Sequence, residues 1–141
     1  MKHLLFLLLI AIGLPAMAQS SGAPDRKSIS DSCDKVMKLI QSGSYAEGMM
    51  IVKRNSIMKE DALHDLATKM DEQLQVVSSV YGKVIGVSFV KDKNISDVLF
   101  KRLYLLRLER YYLKFGFIVY RGSNGWVMTG IIYNEDIEEL Y

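Results

Sequence analysis

Cysteine is almost missing from this chain: Cys33 is the only one among 141 residues, so no intramolecular disulfide can form and the fold must be held by its core. Histidine is scarce as well, with His3 and His64 alone, and the carboxylates are scattered through helical stretches. That leaves no metal-ligand spacing. No glycine-rich phosphate loop occurs, and no serine stands in a strained nucleophile setting, so neither a phosphate-binding cofactor nor any other cofactor is implied. Charge of one sign is lacking too: 18 Lys and Arg face 16 Asp and Glu. There is no global electrostatic footprint for nucleic acid. What the chain does have is apolar character, at half of all residues. That composition excludes disorder, and the length sets one domain as the expectation.

The first residues read as a leader. Lys2 supplies a basic start, Leu4 to Leu14 an apolar run, Pro15 a breaker and Ala16-Met17-Ala18 a small-x-small cleavage pattern. The run holds 11 residues, whereas a bilayer span needs roughly 20. The expectation is a signal peptide over 1–18 cleaved after Ala18, with export to the periplasm or beyond. Gln19, not cysteine, stands directly after the cleavage point, so lipid attachment there is not expected. Residues 19–27 are small and polar and read as a flexible lead-in. Residues 28–141 are the folded domain, and a chain of that size buries roughly two-thirds of its surface.

From Ser28 the periodicity is helical. Ile29, Cys33, Val36, Met37 and Ile40 make one apolar stripe, Ser28 and Asp31 resemble a capping pair, and Gly43 lies just past the end. Ser44 with Glu47 opens a second helix, whose apolar residues are Tyr45, Met49, Ile51 and Val52. A longer third helix is expected over about 58–81. In it Leu63, Leu66, Met70, Leu74, Val77 and Tyr81 recur at steps of 3 and 4 between charged residues. Beyond Gly82 the texture turns to β-branched and aromatic residues. Val84 to Lys91 reads as a strand that turns through Asp92-Lys93-Asn94. Trp126 to Tyr133 reads as another, entered through Asn124-Gly125.

Between those strands, residues 102–120 are apolar enough to raise the question of a membrane span. Arg107, Arg110 and Lys114 answer it, because each basic residue near a bilayer centre costs about 2.5–3.5 kcal/mol, while each Leu, Ile, Phe or Val returns only about 0.3–0.6. The stretch is also far too long for one strand. It reads as a hairpin, Val98–Leu108 and Tyr112–Arg121, reversing at Glu109-Arg110-Tyr111. Phe115, Phe117 and Val119 share one face, and Lys114, Gly116, Ile118 and Tyr120 the other. Three helices followed by four antiparallel strands argue an α+β fold, with a curved sheet wrapped around the long third helix.

The step Gly82-Lys83-Val84-Ile85-Gly86, the strand through Tyr104 and Glu109, the Gly125-Trp126 turn and the closing Ile137-Glu138-Glu139-Leu140 together resemble small exported bacterial proteins of unknown function. These belong to the nuclear transport factor 2-like superfamily, a cystatin-like α+β cone. The resemblance covers about half the domain. It implies a fold, a bacterial origin and export. It implies no activity, because that superfamily spans isomerases, dehydratases and transport factors.

No catalytic constellation emerges from the residues. His64 reads as an exposed flank of the third helix, and Glu109 as a surface ion-pair partner of Arg107 and Arg110. Cys33 reads as a small buried apolar group. Asn94 reads as a turn residue rather than a glycosylation acceptor. The segment Asn134–Tyr141 is expected to pack Ile137 and Leu140 on the sheet edge and so blunt it. Basic and aromatic residues of the sheet are the candidate binding set for a ligand or partner: Arg102, Tyr104, Arg107, Tyr112, Lys114 and Trp126. The reading is an exported, non-catalytic domain that binds a small apolar ligand or a protein through the cone mouth or sheet face. The alternatives are an isomerase- or dehydratase-type enzyme with its site inside the cone, and a self-associating domain whose sheet face forms a homodimer.

Overall fold

Five apolar side chains decide where the first helix lies. In the computed structural model, which describes residues 23–141, α1 (Arg26–Gln41) buries Ile29, Cys33, Val36, Met37 and Ile40, the whole expected stripe. Full burial of one aliphatic side chain stabilises by about 1.5–3 kcal/mol. This stripe therefore outweighs anything helix propensity offers a segment of that length. The leader over 1–18 and the start of the lead-in, 19–22, lie outside the described residues. The helix is capped three residues earlier than the Ser28–Asp31 pair implied. Asp25 is the cap, its carboxylate accepting the Ser28 N–H at 2.7 Å, while Asp31 instead receives Lys27 one turn along. Asp serves at an N-cap as well as Ser does, and the upstream carboxylate reaches the orphan amide first.

α2 (Tyr45–Arg54) starts after Ser44, although the Ser44 side chain makes no capping bond. α3 (Glu60–Tyr81) buries Leu63, Ala67, Met70 and Leu74 and leaves His64 exposed. The strands follow as β1 (Val84–Ser96), β2 (Leu99–Leu108), β3 (Tyr112–Gly122) and β4 (Gly125–Asn134), paired in sequence order as one antiparallel sheet. Residues 102–120 are thus β2 and β3 with the reversal at 109–111, as the charges imply. Phe115, Phe117 and Val119 face the core, together with Phe100, Tyr104, Leu106, Trp126 and Met128. Register shifts interrupt the β1–β2 and β3–β4 ladders, and such bulges bend a sheet. The architecture is α+β, three helices and then a curved four-stranded sheet. Within it α1 runs closest over the sheet, approaching β1, β2 and β4, while α3 packs along α2. The polar residues flanking the α3 stripe keep that helix half at the surface.

Three local readings change. β1 continues through Asp92-Lys93-Asn94 and turns at Asp97-Val98. Asp92 and Asn94 look like turn residues but are strand residues with cationic partners. Asp92 pairs with Arg102 at 2.8 Å, and Asn94 accepts from Arg26 at 2.6 Å. Glu109 makes no ion pair with Arg107 or Arg110. Its carboxylate folds over Gly82 and accepts the Lys83 N–H at 3.3 Å, and the Arg107 guanidinium lies across Gly86. A Cβ at either glycine would meet these side chains, and Gly82 also takes φ +88°, which favours glycine. Finally, the closing 3-10 turn Glu138–Leu140 reaches over the outer sheet face, where Glu139 meets Lys101 and Lys114, and Ile137 is exposed. The β4 edge is instead covered by backbone. Asn55 and Ile57 bond to Met128, and Pro24 bonds to Trp126. A strand edge offers unpaired N–H and C=O groups, both of which a passing backbone satisfies, whereas a carboxylate can only accept.

Candidate functional site

α3 is tied to the sheet at two places. Near its middle, the Tyr133 hydroxyl of β4 donates to the Gln73 side chain. At its end, Arg110 of the β2–β3 turn donates its backbone N–H to the Tyr81 carbonyl at 3.0 Å and its guanidinium to the Val80 carbonyl at 2.8 Å. Tyr111 stacks on Tyr81 with ring centres 4.4 Å apart. Between these ties the helix and sheet do not close. The gap is a cleft of about 520 Å³ lined by Leu74, Val76 and Val77 of α3, by Leu113 of β3 and by Tyr133 of β4, with Glu72, Gln73, Asn134 and Glu135 at its margin. Its walls are mainly apolar, and its size falls in the range of small-molecule sites.

The electrostatics of the margin follow from its hydrogen bonds. The Tyr111 hydroxyl donates to the Glu135 carboxylate at 2.8 Å, and that bond, with burial adding to it, pushes the phenol up to about 12. Burial also raises the Tyr133 phenol. Both phenols are therefore neutral donors at ordinary pH. Among the described residues neither Glu72 nor Glu135 forms a salt bridge, and no Lys or Arg lines the cleft.

The candidate binding residues are distributed over the sheet rather than gathered at this cleft. Arg102 and Tyr104 meet on the inner face in a charge network. Arg102 contacts Asp34 of α1 at 3.0 Å, Asp92 at 2.8 Å and the Tyr104 hydroxyl at 2.7 Å, and its guanidinium lies 4.1 Å over the Phe89 ring. Tyr104 accepts from Arg102 and donates to Asp34. Burial, followed by that bond to Asp34, raises its phenol. These groups border a smaller hollow of about 320 Å³ with Met37, Lys38, Gln41, Val87 and Phe89. Trp126 packs edge-on against Phe100 in the core, with Arg26 and Arg121 near its ring. Lys114 lies on the outer face beneath Glu139, and Arg107 lies over Gly86. Tyr112 stacks on Tyr111 at the turn, near the cleft without lining it.

Cys33 is fully buried, and burial pushes its thiol up to about 12. Among the described residues no group of three or more His, Cys, Asp or Glu could hold a metal ion. No helix among them is long and apolar enough to cross a membrane. Sequence reasoning did not single out the cleft. One signal was present: Val76 is an apolar residue off the α3 stripe, and it lines the cleft while standing 65% exposed.

The architecture defines an α+β domain of the cystatin-like kind. A solved structure of a domain of unknown function with a cystatin-like fold, from Nostoc punctiforme, is similar to it with a TM-score of 0.52 and 14% identity, over 79% of this chain and 77% of that one. At that identity the likeness concerns the fold. No family model matches the chain, and no curated protein matches it significantly.

Proposed function

We propose that this chain is an exported, non-catalytic binding domain of the nuclear transport factor 2-like kind, and that it holds a small apolar molecule in the cleft between α3 and strands β3 and β4. One observation carries the reading: about 520 Å³ of largely apolar space open between Leu74, Val76, Val77, Leu113 and Tyr133. An apolar molecule entering it removes its own surface and that of Val76 from water, at about 25 cal/mol per Å². The inward polar groups support the non-catalytic part. Asp34, Asp92, Arg102 and Tyr104 are engaged with one another, and the Cys33 thiol is held protonated. Export rests on the order of basic start, apolar run and Ala16-Met17-Ala18 in the leader.

The test is a titration with N-phenyl-1-naphthylamine, an uncharged apolar fluorophore. We expect saturable emission that octanol displaces, and its loss in Val77→Trp, which fills the cleft. Emission that never saturates, or that survives Val77→Trp in a folded variant, defeats the reading. Expression in a bacterium followed by mass measurement of the periplasmic protein tests export. The mature chain should begin at Gln19.

A further inference from the structure

We infer that the cleft selects amphiphiles whose polar end is cationic, such as alkyl amines, over those ending in a carboxylate. The inference rests on the proposed cleft and adds the charge of its ligand. Two carboxylates stand at the margin, Glu72 on α3 and Glu135 just after β4, with no Lys or Arg among the lining residues. Arg110, Lys114 and Lys101 are committed elsewhere, while Lys69 stands one turn before Glu72 on α3. Arg110 donates to the Val80 carbonyl, and Lys114 and Lys101 hold Glu139 on the opposite face of the sheet. The other polar atoms at the margin are uncharged. Gln73 has its side-chain oxygen engaged by Tyr133, and the Asn134 side-chain carbonyl already accepts the Asp136 N–H at 3.1 Å.

An apolar body seated on Val76, Val77 and Leu113 therefore brings its head group to a margin that carries two carboxylates. There an ammonium gains two attractive partners and a carboxylate meets two repulsive ones. Glu135 is held in place by the Tyr111 hydroxyl, which leaves its second oxygen for a ligand. Because this margin is open to water, the selectivity is modest and salt-dependent.

The experiment compares octylamine, octanol and octanoate at pH 7 by calorimetric titration, on the wild type, Glu72→Gln/Glu135→Gln and Val77→Trp. We expect octylamine to bind roughly fivefold tighter than octanol and octanoate to bind weakest, with the order narrowing at high salt. The double Gln variant should bring all three probes together, octylamine losing most. If octanol binds and the three probes are equal in the wild type, the charge inference falls while the apolar cleft stands. If octylamine binds equally well to Val77→Trp, it binds elsewhere and the inference also falls. If none of the three binds, the proposed cleft itself fails. A near-wild-type melting temperature for each variant confirms that binding, not folding, has been read.

Discussion

Lys114 is buried to 1% exposure on the outer face of the sheet, and its ammonium rests 3.0 Å from Glu139. The same carboxylate takes Lys101 from the neighbouring strand. One tail residue thus answers two strand cations, and its removal leaves a charge stranded in the sheet.

Glu139→Gln should therefore destabilise the domain by about 2–3 kcal/mol in urea melts at pH 7, since an unpartnered buried charge is costly. Lys114→Met should stay within about 1 kcal/mol of wild type, because it deletes the charge together with its need for a partner. Hydrogen bonds from Lys101 and Lys114 hold the Glu139 carboxyl at about 2, below its ordinary 4.5. A depressed folded-state value means the stabilisation is fully present above about pH 4.5 and is lost as pH falls toward 2. The stability gap between wild type and Glu139→Gln should close over that window.

Arg102 serves two carboxylates and one phenol at once. Arg102→Lys keeps the charge but not the planar fork, so it should still cost about 2 kcal/mol. Arg102→Met should cost about 3 kcal/mol, a figure reduced because Asp34 is partly exposed. Equal stability of Arg102→Lys and wild type in urea would show that the fork contributes nothing.

The Cys33 thiol, buried and raised to about 12, should react with an aromatic disulfide reagent only after unfolding. We expect native labelling to be at least about a hundredfold slower than labelling in 8 M urea. Comparable rates in the two conditions would contradict its placement on the buried face of α1.

Gly125 has φ +99°, and a Cβ there would stand 2.8 Å from the Pro24 carbonyl oxygen. Gly125→Ala should lose about 2 kcal/mol, since strain adds to a backbone clash. Gly122→Ala, at the other end of the same turn, has only ordinary 3.7 Å contacts and should remain within about 1 kcal/mol of wild type. Thermal melts of the pair distinguish a turn requirement from a general loss of glycine.

Local order was legible where one chemical pattern had one structural solution. The α1 stripe could only be a buried helix face, and its five residues are all buried. The charges at Arg107 to Arg110 required a reversal, and β2 ends at Leu108. Phe115, Phe117 and Val119 alternate on a strand and line the core together. Polar residues were read less well. Asp92 and Asn94 resemble a turn until Arg102 and Arg26 arrive from elsewhere in the chain. Glu109 resembles the partner of its neighbours until Gly82 supplies a space for it.

The sequence alone determined the order of elements and the inward faces, because periodicity of apolar residues is a local property and burial follows it. The tertiary structure decided which charges meet, which helix lies on the sheet, and that α3 and β4 stop short of closing around Val76 and Val77. Those outcomes depend on distances between segments tens of residues apart. Such distances are set by the bend of the sheet and the volumes of facing side chains, and no short stretch of the chain encodes either.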